Sequence, residues 1–290
     1  MGTLVEITIS TGIPKIDVLN AIDEAFNQFN YVINKFSRFK STSELSKLNR
    51  NAGTWHKVSA DLFHLIEYSL ELSKLTSGLF DPTIIDILRA YGYDSSYDTS
   101  RIARHLEQNI STQLEQQKTT RPSPLDIKLN KSTLEVRLLP DQNIDLGASA
   151  KGFAIDLAKD CLIRSGLNDF IINAGGDIWA QGTKKIALFS PTAPDKILGA
   201  VKIKNKSIAA SGTFAKKVGA FHHLINPKTM KPHSLTLQAY AIAQSAMEAD
   251  AWATALFLLG QEGVKLARQY NIKTIIISEN GVYGDTNLIS

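Results

Sequence analysis

Tyr240-Ala-Ile-Ala-Gln-Ser245-Ala-Met-Glu248-Ala-Asp250-Ala-Trp-Ala-Thr254-Ala-Leu-Phe-Leu-Leu-Gly260 decides the fold class. Tyr240 to Ala243 reads as a strand. Ser245 and Glu248 form a capping-box signature, so a helix starts at Ser245 and runs to Gly260. A last strand follows at Ile272 to Ile277, ahead of the turn Asn280-Gly281. Upstream, Leu4 to Ser10 alternates as a strand, and Asp17 to Phe36 carries apolar residues every three or four positions, as an amphipathic helix does. Ala60 to Thr76 is a second helix, ended by Gly78, and Asp81-Pro82 signals a short helix through Ile84 to Leu88 with Asp81 as its N-cap. Ala150 to Arg164 is a further helix, closed by Gly166. Strands are expected at Leu125–Leu129, Thr133–Leu138, Phe170–Asn173, Ile186–Phe189, Leu198–Ile203 and Ser207–Ala210, and Lys216 to Lys231 reads as a loop. These elements mix without strict βαβ alternation, which implies an α+β architecture.

The chain has 290 residues, of which 43% are apolar, enough for a sizeable core. Disordered and fibrous classes are excluded. The net charge of +4 is spread without a basic run, which argues against nucleic acid and leaves anionic small molecules open as substrates. A single cysteine, Cys161, excludes an internal disulfide and any cysteine-built metal cluster. No stretch reaches the ~18 apolar residues that cross a bilayer. The residues from about 94 to 123 are polar and Gln-rich. They read as a variable surface excursion, with a helix near Ile102 to Gln117, on a single domain spanning 1–290.

Four stretches could carry chemistry. Asp250 and Thr254 share one face of an otherwise apolar helix. A carboxylate there is costly unless paired. With the Thr hydroxyl it suits a hard cation such as Mg²⁺, or else it lies on the solvent face while Thr254 bonds back into the helix. Asp145-Leu-Gly147-Ala148-Ser149-Ala150-Lys151-Gly152 puts small residues and a lysine before a helix N-terminus, which favours anions, or is an ordinary helix entry. Asn173-Ala-Gly175-Gly176-Asp177 is a glycine turn after a buried strand, too short for a dinucleotide fingerprint. His222-His223 beside Asn226-Pro227 offers a base or a metal site, or else a surface or structural pair. The nucleophile elbow, the HExxH zinc motif and the kinase signatures are absent.

The order of the motifs is more specific than any one of them. Met1-Gly-Thr, Phe36-Ser-Arg-Phe39-Lys-Ser-Thr-Ser-Glu-Leu-Ser-Lys-Leu-Asn49, Gly78-Leu79-Phe80-Asp81-Pro-Thr83, Asp145 to Phe153, Asn173 to Asp177, His223-Leu-Ile225-Asn-Pro227 and Glu248 to Phe257 follow one another. This pattern, running from Met1 to about Gly260, resembles the ApbE-type flavin transferases. The resemblance implies a T-fold-like α+β body with mixed sheets and packed helices. It implies an enzyme that uses Mg²⁺ to cleave FAD, its substrate, attaches FMN through a phosphoester to a Thr or Ser of a target flavoprotein, and releases AMP. By motif, Asp250 and Thr254 would be Mg²⁺ ligands through their side chains and Ala148 through its carbonyl. Asp145 and Lys151 would bind FAD. Met1, Phe39, Leu79, Phe80, Asp81 and Ile225 would line the flavin and adenosine pocket. His223 would be a base, with Asp250 the other catalytic residue.

One departure stands out. Such proteins follow the His-x-x-[Asp/Asn]-Pro motif with Thr-Gly, where this chain has Thr229-Met230, so a turn needing positive φ is expected to differ. Two other readings share the same residues: an FAD pyrophosphatase yielding free FMN and AMP, and a flavin-binding protein without turnover. The implied partners are FAD and an acceptor flavoprotein subunit. MGTLVEITIS lacks the features of a signal peptide. The chain as given reads as cytoplasmic, or as facing the periplasm at the inner membrane if a leader has been trimmed.

Overall fold

The computed structural model describes residues 3–10, 12, 14–93, 121–193, 195–213, 217–218 and 221–290. Met1 and the helix expected near Ile102 to Gln117 lie outside the described residues. In chain order the first elements are β1 (Val5–Ile9), α1 (Lys15–Phe36), α2 (Glu44–Arg50), β2 (Trp55–Lys57), α3 (Ala60–Leu75) and α4 (Ile85–Ala90). Then come β3 (Lys128–Asn130), β4 (Glu135–Arg137), α5 (Ala150–Arg164), β5 (Phe170–Ala174), β6 (Asp177–Phe189) and β7 (Ile197–Gly212). The chain continues through β8 (Lys217–Val218), β9 (Phe221–His222), β10 (Ile225–Asn226), β11 (Lys231–Pro232) and β12 (Gln238–Ala243). It ends with α6 (Ala246–Leu259), α7 (Gly263–Gln269), β13 (Lys273–Ser278) and β14 (Gly281–Gly284). The architecture is α+β, as the sequence implies. No described helix is long and apolar enough to cross a membrane.

The chain folds into two compact units. The first comprises residues 1–33, 148–212 and 235–290; the second comprises 34–147 and 213–234. The first unit is built on an antiparallel seven-stranded sheet of order β1-β5-β6-β7-β12-β13-β14. On β12 the side chains alternate by face. Tyr240 and Ile242 join Ile186, Leu188, Val201, Ile203, Ile208 and Ile275 in one buried cluster. The intervening Ala239, Ala241 and Ala243 are also buried. Helix α6 packs on β7 and β12, and the small alanines let it approach closely. α6 itself is buried nearly all round, with α5 and α7 packed on it, which explains its lack of a polar face.

The second unit carries α2, α3, α4, the three-stranded sheet β2-β4-β3 and the hairpins β8-β9 and β10-β11. Its apolar cluster joins Ile85, Ile87 and Leu88 of α4 with Tyr91, Phe221, Ile225 and Met230. The Tyr91 and Phe221 rings lie 4.8 Å apart.

Several expectations need correction. Leu125 to Leu129 is not one strand: Pro124–Asp126 forms a 3₁₀ turn, capped by Ser123, before β3. The two strands at 198–203 and 207–210 are one, β7. Its polar Lys204-Asn205-Lys206 centre is an irregularity in the ladder, where Gly182 and Asn205 both take positive φ and the Gly182 amide donates to Asn205 Oδ1 at 2.8 Å. The loop expected from Lys216 to Lys231 contains β8, β9, β10 and the start of β11, two-residue strands too short to leave a periodic signal. Asp81 is not an N-cap. Ile84 occupies that position, and the Asp81 carboxylate accepts from the Thr83 amide instead, as an Asx turn does.

Candidate functional site

In the first unit, α6 starts where the sequence places it. Ser245 Oγ accepts from the Glu248 amide at 3.1 Å, and Glu248 Oε2 accepts from the Ser245 amide at 3.3 Å, closing the capping box. Asp156 on α5 adds a second carboxylate, accepting from the Ala246 and Met247 amides at 2.9 Å each. Burial pushes the Asp156 pKa up, against the pull of those two hydrogen bonds and of Lys159. The two helices touch at Gly152. A Cβ there would stand 2.1 Å from the Ala246 carbonyl oxygen.

That contact delivers Asp250. Its side chain is buried on α6, and Oδ2 accepts from the Gly152 amide at 3.0 Å. Lys151 Nζ stands 3.4 Å from Oδ1 and also forms an ion pair with Asp177. Asp177, only 2% exposed, opens β6 directly after the turn made by Gly175 and Gly176, both at positive φ. One turn beyond Asp250 on α6, Thr254 Oγ1 lies 3.1 Å from Ser211 Oγ on β7. Ala148 is partly buried two residues before α5. The sequence alternative that put Asp250 on a solvent face is excluded by its burial. A buried carboxylate with two neighbouring hydroxyls is a hard-oxygen donor set, and it fits Mg²⁺ by ligand chemistry. Among the described residues no group of three or more His, Cys, Asp or Glu side chains is placed to hold a metal ion.

In the second unit, Asp145 Oδ2 is paired with Arg38 Nε at 3.0 Å, and its Oδ1 accepts from the Gly147 amide at 3.0 Å. The Arg38 side chain is buried, with its guanidinium 4.0 Å from the Phe39 ring centroid and 5.1 Å from that of Tyr93. Phe39 itself is half exposed. Asp81 accepts from the Thr83 hydroxyl at 2.7 Å and pairs with Arg121. Leu79 is partly buried and Phe80 fully so, while Ile225 sits inside the α4 cluster.

The paired histidines differ in burial. His222 is buried, and its Nε2 is 2.8 Å from the His233 carbonyl oxygen. His223 follows β9 and is partly exposed. Burial lowers the His233 pKa below its ordinary value. Met230 keeps a φ of 57° without being glycine. Its side chain is buried in the α4 cluster, and Tyr91 Oη donates to its carbonyl oxygen at 2.9 Å. The left-handed turn therefore survives the loss of glycine, held by burial and that hydrogen bond.

The structure thus gathers Lys151, Asp250 and Thr254 with two residues the sequence reading gave no role, Asp177 and Ser211. It gives Asp145 and Asp81 arginine partners, Arg38 and Arg121, which were also missed. Asp177 lay inside a motif whose glycines carried the whole signal. Ser211 and Arg121 had no local signal at all.

The chain is similar to proteins of one family. A relative from Buchnera aphidicola subsp. Baizongia pistaciae, named FAD:protein FMN transferase, is 30% identical over 268 residues, covering 87% of this chain and 77% of that protein. The protein of the same name from Haemophilus influenzae is 28% identical, covering 85% and 75%. Among solved structures, the ApbE protein of Thermotoga maritima superposes with a TM-score of 0.85 at 22% identity, over 99% of this chain and 94% of that one. The flavin transferase ApbE from Vibrio cholerae gives 0.84 at 22% identity, over 99% and 95%. Residues 1–276 match the model of the ApbE family, and the chain belongs to that family.

Proposed function

We propose that this chain is a Mg²⁺-dependent FAD:protein FMN transferase. The observation that carries the reading is Asp250, a carboxylate buried on an apolar helix, held by the Gly152 amide and facing Lys151. Burying such a group is costly unless it is paired, and its position beside Thr254 and Ser211 suits a cation site. The names of the relatives supply the substrate class.

Asp250, Thr254 and the Ala148 carbonyl would hold Mg²⁺. When bound, the ion would neutralise charge on the FAD pyrophosphate and on the departing phosphate. Lys151, ahead of the second turn of α5, binds the FAD phosphates together with the helix N-terminus. Asp145 orients FAD, with Arg38 fixing its carboxylate. Met1, Phe39, Leu79, Phe80, Asp81 and Ile225 are assigned to the flavin and adenosine moieties by family resemblance. The acceptor is a Thr or Ser hydroxyl of a flavoprotein subunit. Its oxygen forms a bond to the FMN phosphorus, the pyrophosphate P–O bond breaks, AMP leaves, and the hydroxyl proton passes to His223.

The test is incubation with FAD, Mg²⁺ and candidate flavoprotein subunits, with covalent flavin read by in-gel fluorescence. Labelling that Asp250→Asn reduces at least ~100-fold supports the reading, since losing one charged ligand removes several kcal/mol of transition-state stabilisation. Free FMN and AMP without labelling would make the protein a pyrophosphatase. Bound FAD that is never cleaved would make it a binding protein.

A further inference from the structure

Asp177 stands outside the ligand set just described, yet its carboxylate is 2% exposed and ion-paired with Lys151. It is held there by its own backbone. Gly175 and Gly176 make the tight β5–β6 turn at φ of 62° and 99°, and the Asn173 side chain accepts from the Gly176 amide at 3.0 Å. A Cβ on Gly175 would meet Thr3 Oγ1 at 1.9 Å, so the turn has no room for another residue. Asp177 is thereby fixed at the end of the sheet. Lys151, in contrast, has a long flexible stem and shares its ammonium between Asp177 and Asp250.

Two cations on one buried carboxylate repel each other. An ammonium resting on Asp250 competes with any divalent ion for that oxygen pair. We infer that Asp177 is a positioning residue that holds the Lys151 ammonium so that Asp250 stays available to a divalent cation. The inference rests on the reading of Asp250 as a metal ligand. It adds a role for a carboxylate that does not itself touch the ion. With Asp177 neutralised, Asp250 remains as a buried carboxylate 3.4 Å from the Lys151 ammonium among the described residues.

The experiment is direct Mn²⁺ binding to the full chain without FAD, read by the loss of the free-ion EPR signal and by calorimetry. Four forms are compared: the wild type, Asp250→Asn, Asp177→Asn, and the double variant Asp177→Asn with Lys151→Met. Thermal melts establish that each form is folded. We expect Asp250→Asn to abolish tight binding and Asp177→Asn to weaken it by about 10-fold or more. The double variant, with the competing ammonium gone, should bind at least as tightly as the wild type.

Wild-type affinity in Asp177→Asn, with Asp250→Asn defective, overturns the inference and leaves the metal reading standing. Undiminished binding in Asp250→Asn overturns the metal reading and the inference with it. Should Asp177→Asn fail to fold, the double variant decides, because its charges are balanced at the buried pair. Weak binding in the double variant means that Asp177 supports the ion itself, which also overturns the positioning role.

Discussion

The Gly152 amide donates to Asp250 Oδ2 at 3.0 Å, where α5 packs against α6. The same glycine makes the approach and supplies the donor. An added methyl would meet the Ala246 carbonyl oxygen at 2.1 Å and the Met247 Cα at 2.7 Å, backbone atoms that cannot rotate away. Gly152→Ala must therefore push the helices apart. We expect a loss of about 3 kcal/mol, the upper end of overpacking costs, measured by urea unfolding. Divalent-ion affinity should fall in parallel, since Asp250 moves with α6. A variant of wild-type stability would show that the contact is not tight.

Asp156 secures the same helix from its end. Its two oxygens accept from Ala246 and Met247, the first two residues of α6. Asp156→Ala leaves both amides without that partner, while the Ser245–Glu248 box remains. The expected cost is about 2 kcal/mol in chemical denaturation, in the range of lost caps and of buried donors left unmade. Asp156→Asn, which keeps one acceptor, should recover part of it.

Met230 inverts a usual preference. Alanine ordinarily outranks glycine, but here φ is 57° and the side chain is 4% exposed. Met230→Ala loses the buried thioether, worth about 2–3 kcal/mol, and keeps the left-handed strain. Met230→Gly loses the same packing but relieves strain of about 1–2 kcal/mol. Glycine should therefore be the less harmful substitution by roughly 1 kcal/mol in equilibrium unfolding. The reverse order would mean that the turn relaxes when the side chain is removed.

His233 makes stability depend on pH. Burial lowers its pKa below 6.5, so between the folded and unfolded values the unfolded chain binds more protons. Its contribution is complete above about pH 6.5 and is lost as pH falls through the lower, folded value. Melting temperatures measured from pH 8 to pH 5 should drop more steeply for the wild type than for His233→Gln. Parallel curves would remove His233 as the cause.

Sequence legibility followed the length of each signal. α5 and α6 were placed within a residue because a small-residue loop, a capping box and a closing glycine mark their ends. Asp250 stood out because, apart from the capping Glu248, it is the acid on an otherwise apolar helix and has to be explained. The two-unit organisation left no mark: its boundary at 33/34 falls inside α1 and that at 147/148 inside the Asp145–Phe153 motif, and those at 212/213 and 234/235 carry no linker composition. β7 was split in two because Asn205 sits at positive φ in its middle, and polarity alone cannot separate an irregular strand from a turn. Ser211 meets Thr254, and Arg121 meets Asp81, across 43 and 40 positions, pairings that no local pattern encodes.

The two adjacent histidines offer the sharpest separation of chemistry from stability. In the proposed transfer the acceptor hydroxyl loses a proton as it attacks phosphorus, and an imidazole suits that task near neutral pH. His223 is partly exposed after β9, whereas His222 is buried with Nε2 2.8 Å from the His233 carbonyl oxygen. His223→Ala should therefore slow flavin transfer by about 10²–10⁴-fold, the range of general base catalysis, with FAD affinity and melting temperature unchanged. His222→Ala should do the opposite. It leaves a buried carbonyl without its partner at a cost of about 1–3 kcal/mol, yet its rate per folded molecule should stay near that of the wild type. Slow transfer in a fully folded His222→Ala, or joint loss of FAD binding and turnover in His223→Ala, would reassign the base.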